Sequence, residues 1–278
     1  MLSYFILFSM ILGAIMGSFL LVVSLRYNTG KSLKGRSQCF SCRKNLQWFE
    51  LIPVISFISQ RGRCRSCSSA IPQETLIAEG LTALLFGLIA MRGLFVGLED
   101  LIFTTPYLIA TLFLFVVFSV LIVVFFYDIH HKIIPDSLSF SFGFLGLLSA
   151  FFLNSEMGTL VYQGFTVPSL SHLLGGILVP LPFVLIWVFS KGRMIGLGDP
   201  KLMVGMGFLF GLYQGITSVF VSFWIGSLVV ISLIAIEKIL SKKLFSNSKG
   251  GIMKQEIPFG PFLILGTLVT FLFNINLF

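Results

Sequence analysis

Two aspartates stand at the ends of long apolar segments, where an ionisable side chain is costly. Asp128 closes one segment after Phe-Phe-Tyr, and Asp199 opens another within Gly-Leu-Gly-Asp-Pro. Two carboxylates at one membrane depth can activate a water molecule if one takes its proton while the other, protonated, polarises a carbonyl group. A simpler alternative is that both aspartates only cap or flank helices at the membrane surface. The sequence therefore indicates a candidate two-aspartate site and leaves both interpretations open.

The residues around Asp199 favour a helix start. Gly196 and Gly198 have no side chains, so another part of the chain can approach this backbone closely. Pro200 suits the first position of a helix, which would make Asp199 its N-cap. These glycines are therefore candidate supporting residues of the same site.

All four cysteines lie in one polar stretch, in two C-x-x-C pairs separated by 21 residues. This spacing is close to that of four-cysteine zinc sites, in which each pair places two thiolates on one side of the metal. Two disulfides or four idle thiols are the alternatives. The basic residues of the chain predict that this loop lies in the cytoplasm, as described below, and that compartment is reducing, which disfavours the disulfides. A closed site of this kind would be structural. The predicted ligands are Cys39, Cys42, Cys64 and Cys67.

Glu79 lies where the second apolar segment enters the membrane. An ionisable group in such a position is a functional candidate by default. An ion pair with an arginine such as Arg26 is an equally good explanation.

The composition identifies the fold class. Hydrophobic residues make up 56% of the 278 positions and charged residues only 11%, with a mean hydropathy of +0.99. This excludes an ordinary soluble domain, and uninterrupted apolar runs exclude the alternation of a barrel. We therefore predict an all-α, polytopic membrane protein of about eight transmembrane helices. The predicted spans are residues 4–25, 76–97, 101–127, 133–153, 170–190, 197–213, 215–236 and 257–277.

The basic residues predict the topology. If odd-numbered spans run inward, 18 of the 19 lysines and arginines lie on the inner side, and only Arg92 remains outside. Positive loops resist translocation, so both termini are predicted outside and the cysteine loop in the cytoplasm. Because the net charge of +8 is scattered between the spans, it does not indicate nucleic-acid binding. The predicted parts are residues 1–25 (first helix), 26–75 (four-cysteine module) and 76–278 (membrane domain).

Several motifs together resemble a known family. Asp-Ile-His-His-Lys-Ile-Ile-Pro-Asp starts at Asp128, and Gly-Leu-Gly-Asp-Pro-Lys-Leu places Asp199 71 residues later. Further matching motifs are Gly-Ser-Phe-Leu at 17–20, Leu-Ile-Pro-Val-Ile-Ser-Phe at 51–57, the paired C-x-x-C, Glu79, and Ile-Pro-Phe-Gly-Pro-Phe at 257–262. In this order and over nearly the whole chain, they resemble the aspartic prepilin peptidases, or type IV leader peptidases.

The resemblance implies an activity. It implies an endopeptidase of the bacterial inner membrane that removes the basic leader of type IV prepilins and pseudopilins at the cytoplasmic face, with Asp128 and Asp199 as the catalytic pair. It also implies S-adenosylmethionine-dependent N-methylation of the new N-terminus, with the cysteine-bearing loop involved.

Two other classes are weighed against this interpretation. A transporter would be expected to carry its carboxylates near mid-bilayer and to consist of two related halves, and neither feature is found. An assembly factor that binds partners through a zinc-stabilised loop needs no aspartate pair.

Overall fold

The chain is described from a computed structural model, which covers residues 2–30, 32, 35–95, 104–154, 161–162, 167–240 and 257–278. A short 3-10 helix spans Trp48–Leu51, and strands β1 (Leu153–Asn154) and β2 (Val161–Tyr162) pair in antiparallel fashion. In chain order, the α-helices are α1 (Leu2–Arg26), α2 (Ile55–Ser59), α3 (Gln73–Phe95), α4 (Thr105–His131), α5 (Asp136–Phe152), α6 (Leu170–Leu178), α7 (Leu181–Ser190), α8 (Gly198–Leu240) and α9 (Gly260–Phe273).

The structure confirms the predicted class of helical membrane protein. Within the described residues, β1 and β2 are the only strands. Helices α5 and α9 are apolar but shorter than a full membrane span. In the part of the chain that the structure describes, five segments are long and apolar enough to cross a membrane: Leu2–Arg26, Gln73–Arg92, Thr105–His131, Leu170–Ser190 and Gly198–Ile239.

The predicted spans coincide with apolar helices, but the breaks differ in detail. Helix α8 has 43 residues and consists of two consecutive helical segments. It is interrupted at Gly211, where φ is +78°, three residues before the predicted break. The predicted span 170–190 is divided at Pro180, because proline lacks the N–H that would continue α6. Residues 96–97 of the second predicted span and residues 101–103 of the third lie outside the residues that the structure describes.

The chain forms two compact units, Met1–Phe126 and Tyr127–Phe278. In the first unit, α1 packs against α3. This contact is close because α1 presents glycines: a Cβ on Gly13 would lie 2.5 Å from the Thr82 carbonyl oxygen, and one on Gly17 would lie 2.6 Å from that of Ala78. Small residues are the usual means of bringing membrane helices together. The predicted boundaries after residues 25 and 75 are not tested by this division and stay predictions.

In the second unit, α8 packs against α5, α6 and α9. A Cβ on Gly146 of α5 would lie 2.6 Å from the Gly205 carbonyl oxygen, so this crossing also depends on a small residue. At the Gly211 break, the Leu212 N–H donates to the Ser171 hydroxyl of α6 at 3.1 Å. These contacts fix the first turns of α8, which carry Asp199.

Candidate active site and metal centre

The two aspartates lie in the same unit and line the same cavity. Asp128 sits in the last turn of α4 and is 3% exposed, while Asp199 sits half-buried in the first turn of α8. The two carboxyl groups are close enough to interact electrostatically. Helix α8 begins at Gly198, so Asp199 lies one position inside the helix rather than at the predicted N-cap.

The cavity has a volume of about 610 Å³ and a mixed lining. Apolar walls come from Phe183, Met194, Phe223 and Phe259, and Gly196 and Gly198 also line the cavity. Further charged residues are Lys132, Asp136 and Lys201, and the Lys201 Nζ lies 2.6 Å from the Asp136 Oδ1.

Gly260 makes a contact with Asp128 that the sequence did not reveal. Its backbone N–H donates to the Asp128 carboxylate. A Cβ at this position would lie 2.5 Å from Asp128 Oδ2 and 3.1 Å from Ile134 Cδ1. The residue therefore must be small for the N–H to reach the carboxylate. In the sequence, Gly260 is part of the motif Ile-Pro-Phe-Gly-Pro-Phe at 257–262, which by itself does not indicate a contact with Asp128.

The two predicted supporting glycines differ in their surroundings. A Cβ on Gly198 would lie 2.9 Å from the Ile134 side chain, so the backbone before Asp199 does pack closely against the chain that follows Asp128. A Cβ on Gly196 would have no atom within 4 Å among the described residues. Gly198 thus has a steric reason to be glycine, and the role of Gly196 stays a prediction.

In the first unit, the four cysteines form a cluster. Their sulfur atoms all lie within 4.8 Å of one another, and none is in a disulfide. Four thiolates bound to one zinc at about 2.3 Å would be roughly 3.8 Å apart, and the Cys39 and Cys67 sulfurs are 3.7 Å apart. The cluster therefore has the size and the donors to hold a metal ion, as the spacing predicted.

Each C-x-x-C pair lies in the same kind of turn. The Cys39 N–H donates to the Lys44 carbonyl at 3.0 Å, and the Cys64 N–H donates to the Ser69 carbonyl at 2.8 Å. The residue after each second cysteine has a positive φ, 56° at Arg43 and 57° at Ser68. Two matching turns bring the two thiol pairs to one point, which is how the separated motifs form a single site.

The thiol acidities also suit a cation. Hydrogen bonds from the Cys42 and Ser41 backbone lower the pKa of Cys39 to about 6. The backbone N–H of Lys44 lowers the pKa of Cys42, but desolvation and the neighbouring sulfurs of Cys67 and Cys39 outweigh it and raise this pKa to about 11. Crowded thiols cannot all ionise without a positive charge between them, and a bound metal ion supplies that charge.

Glu79 has a partner that was not predicted. It is 5% exposed, and its Oε2 accepts a hydrogen bond from the Val54 N–H at 2.7 Å. Val54 has a φ of +62°, which is a strained conformation for a β-branched residue. The alternative ion pair is not formed in the described residues: the Arg26 Nη1 instead donates to the Ser32 carbonyl at 2.8 Å.

The fold and these sites define a class: a helical membrane protein in which Asp128 and Asp199 line one cavity, with a separate cluster of four thiols. Residues 11–93 match the bacterial peptidase A24 N-terminal domain, and residues 115–231 match the type IV leader peptidase family.

Three relatives share the name prepilin leader peptidase/N-methyltransferase. The Bacillus subtilis protein is 31% identical over 95% of this chain and 92% of its own length. The Myxococcus xanthus protein is 31% identical over 73% of this chain and 55% of its own length, so the chain spans about half of that relative. The Dichelobacter nodosus protein is 27% identical over 86% of this chain and 71% of its own length. No solved structure matches the chain.

The chain therefore belongs to the type IV leader peptidase family, which confirms the resemblance of its motifs. With five span-length helices in the described residues, it is a multi-pass protein of the inner membrane.

Proposed function

We propose that this protein is an aspartic endopeptidase that removes the leader peptide of type IV prepilins and pseudopilins. The observation that carries the proposal is the pairing of Asp128 and Asp199 in one cavity, with their carboxyl groups close enough to interact. The names of the relatives support the substrate class. Asp128 and Asp199 are the catalytic residues in this proposal.

The chemistry follows from two carboxyl groups that share one proton. The ionised carboxylate takes a proton from a water molecule, whose oxygen attacks the carbonyl carbon of the scissile peptide bond. The protonated carboxyl group donates its proton to the carbonyl oxygen. When the tetrahedral intermediate collapses, the C–N bond breaks and the leaving nitrogen takes a proton from the first carboxyl group. The second carboxylate regains its proton from a hydroxyl of the intermediate as the carbonyl re-forms. The N–H of Gly260 orients the Asp128 carboxylate for this exchange.

The second proposed activity is methylation of the new N-terminal amine. In S-adenosylmethionine the sulfonium supplies the methyl group: the amine nitrogen forms a bond to the methyl carbon, the S–CH3 bond breaks, and the amine loses a proton. The printed names of the relatives support this activity.

We assign zinc to the cluster of Cys39, Cys42, Cys64 and Cys67. Four thiolates are typical zinc ligands, and a closed set of four leaves no position for substrate, so the ion would be structural. It would hold together the two turns that carry the thiols, since site and fold form together in such modules.

The proposed orientation has both termini outside and the cysteine module in the cytoplasm. It is supported by the distribution of lysine and arginine, 18 of 19 of which then lie on the inner side. Both the module and the ends of α4 and α8 that carry the aspartates would then face the compartment in which prepilins are made.

The experiment is to incubate the purified protein, in detergent, with a prepilin and S-adenosylmethionine. We expect a product shortened by the leader and heavier by one methyl group at its new N-terminus. Intact prepilin after incubation with metal-replete, folded protein would contradict the peptidase proposal. It would favour the transporter or assembly-factor alternative. Cleavage without added mass would contradict only the methyl transfer.

A further inference from the structure

Four large apolar side chains are exposed on the segment of residues 48–59, which contains the 3-10 helix and α2. Trp48 is 78% exposed, Ile55 64%, Ile58 65% and Leu51 46%. The two short helices pack against each other and leave these side chains uncovered. So much apolar surface on a short polar module indicates a binding face.

Glu79 connects this segment to α3, a helix that is long and apolar enough to span a membrane. Its carboxylate holds the Val54 N–H, at the centre of the segment, at 2.7 Å. Glu79 belongs to the membrane-spanning stretch Gln73–Arg92. It follows Leu76, the first residue of the apolar run, by three residues, or about 4.5 Å along the helix axis. The segment is therefore tied to α3 close to the level at which that helix enters the hydrocarbon.

The side chains in and near the segment suit a lipid surface. Tryptophan is enriched at membrane interfaces because its ring is apolar and its N–H is polar. Three exposed arginines, Arg61, Arg63 and Arg65, follow directly. Basic residues beside an apolar face are typical of segments that lie in the interface of an anionic membrane.

We infer that residues 48–59 lie in the membrane interface, with Trp48, Leu51, Ile55 and Ile58 among the upper acyl chains and the arginines among anionic headgroups. Glu79 is then a positioning residue that holds the segment at this depth through the strained Val54. The segment thus fastens the four-cysteine module to the membrane. This inference is independent of the proposed peptidase and methyltransferase activities.

Trp48 is a natural reporter for the test. The chain has three tryptophans, so the variant Trp187→Phe/Trp224→Phe leaves Trp48 as the only one. The full-length variant is placed in nanodiscs with anionic lipid brominated near the headgroup end of its acyl chains. We expect blue-shifted Trp48 emission, strong quenching by the brominated lipid and weak quenching by acrylamide.

The matched control is Trp48→Phe/Trp187→Phe, which leaves Trp224, a 57% exposed residue of the span-length helix α8. Its quenching by lipid brominated at mid-chain, the depth expected for the centre of the predicted span 215–236, defines full lipid contact. Trp48 emission typical of water, with strong acrylamide quenching, would overturn the inference. Blue-shifted emission without quenching by brominated lipid would also overturn it, because the covering surface would then be protein.

Three further variants test which groups hold Trp48 in the lipid. Ile55→Glu/Ile58→Glu changes only exposed positions, so the fold should persist while lipid quenching of Trp48 falls several-fold. Glu79→Leu, which removes the acceptor of the Val54 N–H, should have the same effect, whereas Glu79→Gln keeps an acceptor and should retain most of the quenching. Quenching unchanged in both Ile55→Glu/Ile58→Glu and Glu79→Leu would contradict the inference. Equal quenching in anionic and zwitterionic lipid would contradict the role of the arginines.

Discussion

The Lys201 ammonium lies 2.6 Å from the Asp136 carboxylate and joins the first turn of α8 to the first residue of α5. Asp199 is two positions before Lys201. Asp128 lies in the last turn of α4, and only residues 132–135 separate the end of that helix from Asp136. The ion pair therefore ties together the two parts of the chain that carry the aspartates. Because the two side chains are 28% and 66% exposed, we expect a contribution to stability of only about 0.2–1 kcal/mol. Its main effect is on position.

Lys201→Met should reduce kcat/KM for prepilin cleavage by about 2- to 5-fold, the factor that corresponds to the loss of up to about 1 kcal/mol of positioning energy. The melting temperature should change little. Lys238→Met, an exposed lysine near the other end of α8, is the control and should cleave normally. The double variant Asp136→Lys/Lys201→Asp restores the pair with reversed charges and should recover part of the activity. Normal cleavage by Lys201→Met would exclude the positioning role.

Gly260→Ala should reduce cleavage at least about 10-fold, since a displaced donor no longer orients its carboxylate. The added Cβ would lie 2.5 Å from Asp128 Oδ2, so the carboxylate must move. Gly143→Ala on α5 is the control, because its Cβ would meet only Val204 Cγ1 at 4.0 Å. Equal initial rates for the two variants would contradict a role for Gly260.

The sequence predicted the helices and the thiol cluster because both depend on local patterns. Apolar runs locate membrane helices, and two C-x-x-C pairs specify four ligands wherever the intervening chain goes. The structure confirms the helical class and the convergence of Cys39, Cys42, Cys64 and Cys67. Asp128 and Asp199 also share a cavity, and their catalytic role stays a proposal.

The contacts that sequence reasoning missed join residues far apart in the chain. Gly260 reaches Asp128 across 132 positions, and Lys201 reaches Asp136 across 65. Neither contact corresponds to a periodic pattern or a fixed spacing in the sequence, so only the packed structure shows which residues meet. The sequence could not have shown that Glu79 accepts from a backbone N–H.

Cys64→Ser should release the metal, because the closed site needs all four thiolates. Elemental analysis of the purified wild-type protein should give one zinc per chain, and the variant should give far less. The cysteine module should become sensitive to protease, while prepilin cleavage by the other unit persists. Ser66→Ala, within the same C-x-x-C turn, is the control and should keep its zinc. A full zinc content in Cys64→Ser would contradict the assignment.

Gly17→Ala should destabilise the first unit by about 1–3 kcal/mol, as overpacking does in a close contact. Its Cβ would lie 2.6 Å from the Ala78 carbonyl oxygen and 2.8 Å from the Thr82 hydroxyl. Gly80→Ala on α3 is the matched control, since its Cβ meets no described atom within 4 Å. It should be neutral or slightly stabilising, because alanine favours a helix. Thermal unfolding in detergent should rank the control above Gly17→Ala, and the reverse order would contradict the packing account.

The most direct test of the central claim is prepilin cleavage by Asp128→Asn and by Asp199→Asn, each purified from membranes and checked for wild-type zinc content and melting behaviour. Asparagine keeps the size of the side chain but cannot exchange a proton as a carboxyl group does. We therefore expect no detectable leader removal by either variant, while methylation of a pre-cleaved pilin continues. Near-normal cleavage by either folded variant would show that Asp128 and Asp199 are not a catalytic pair.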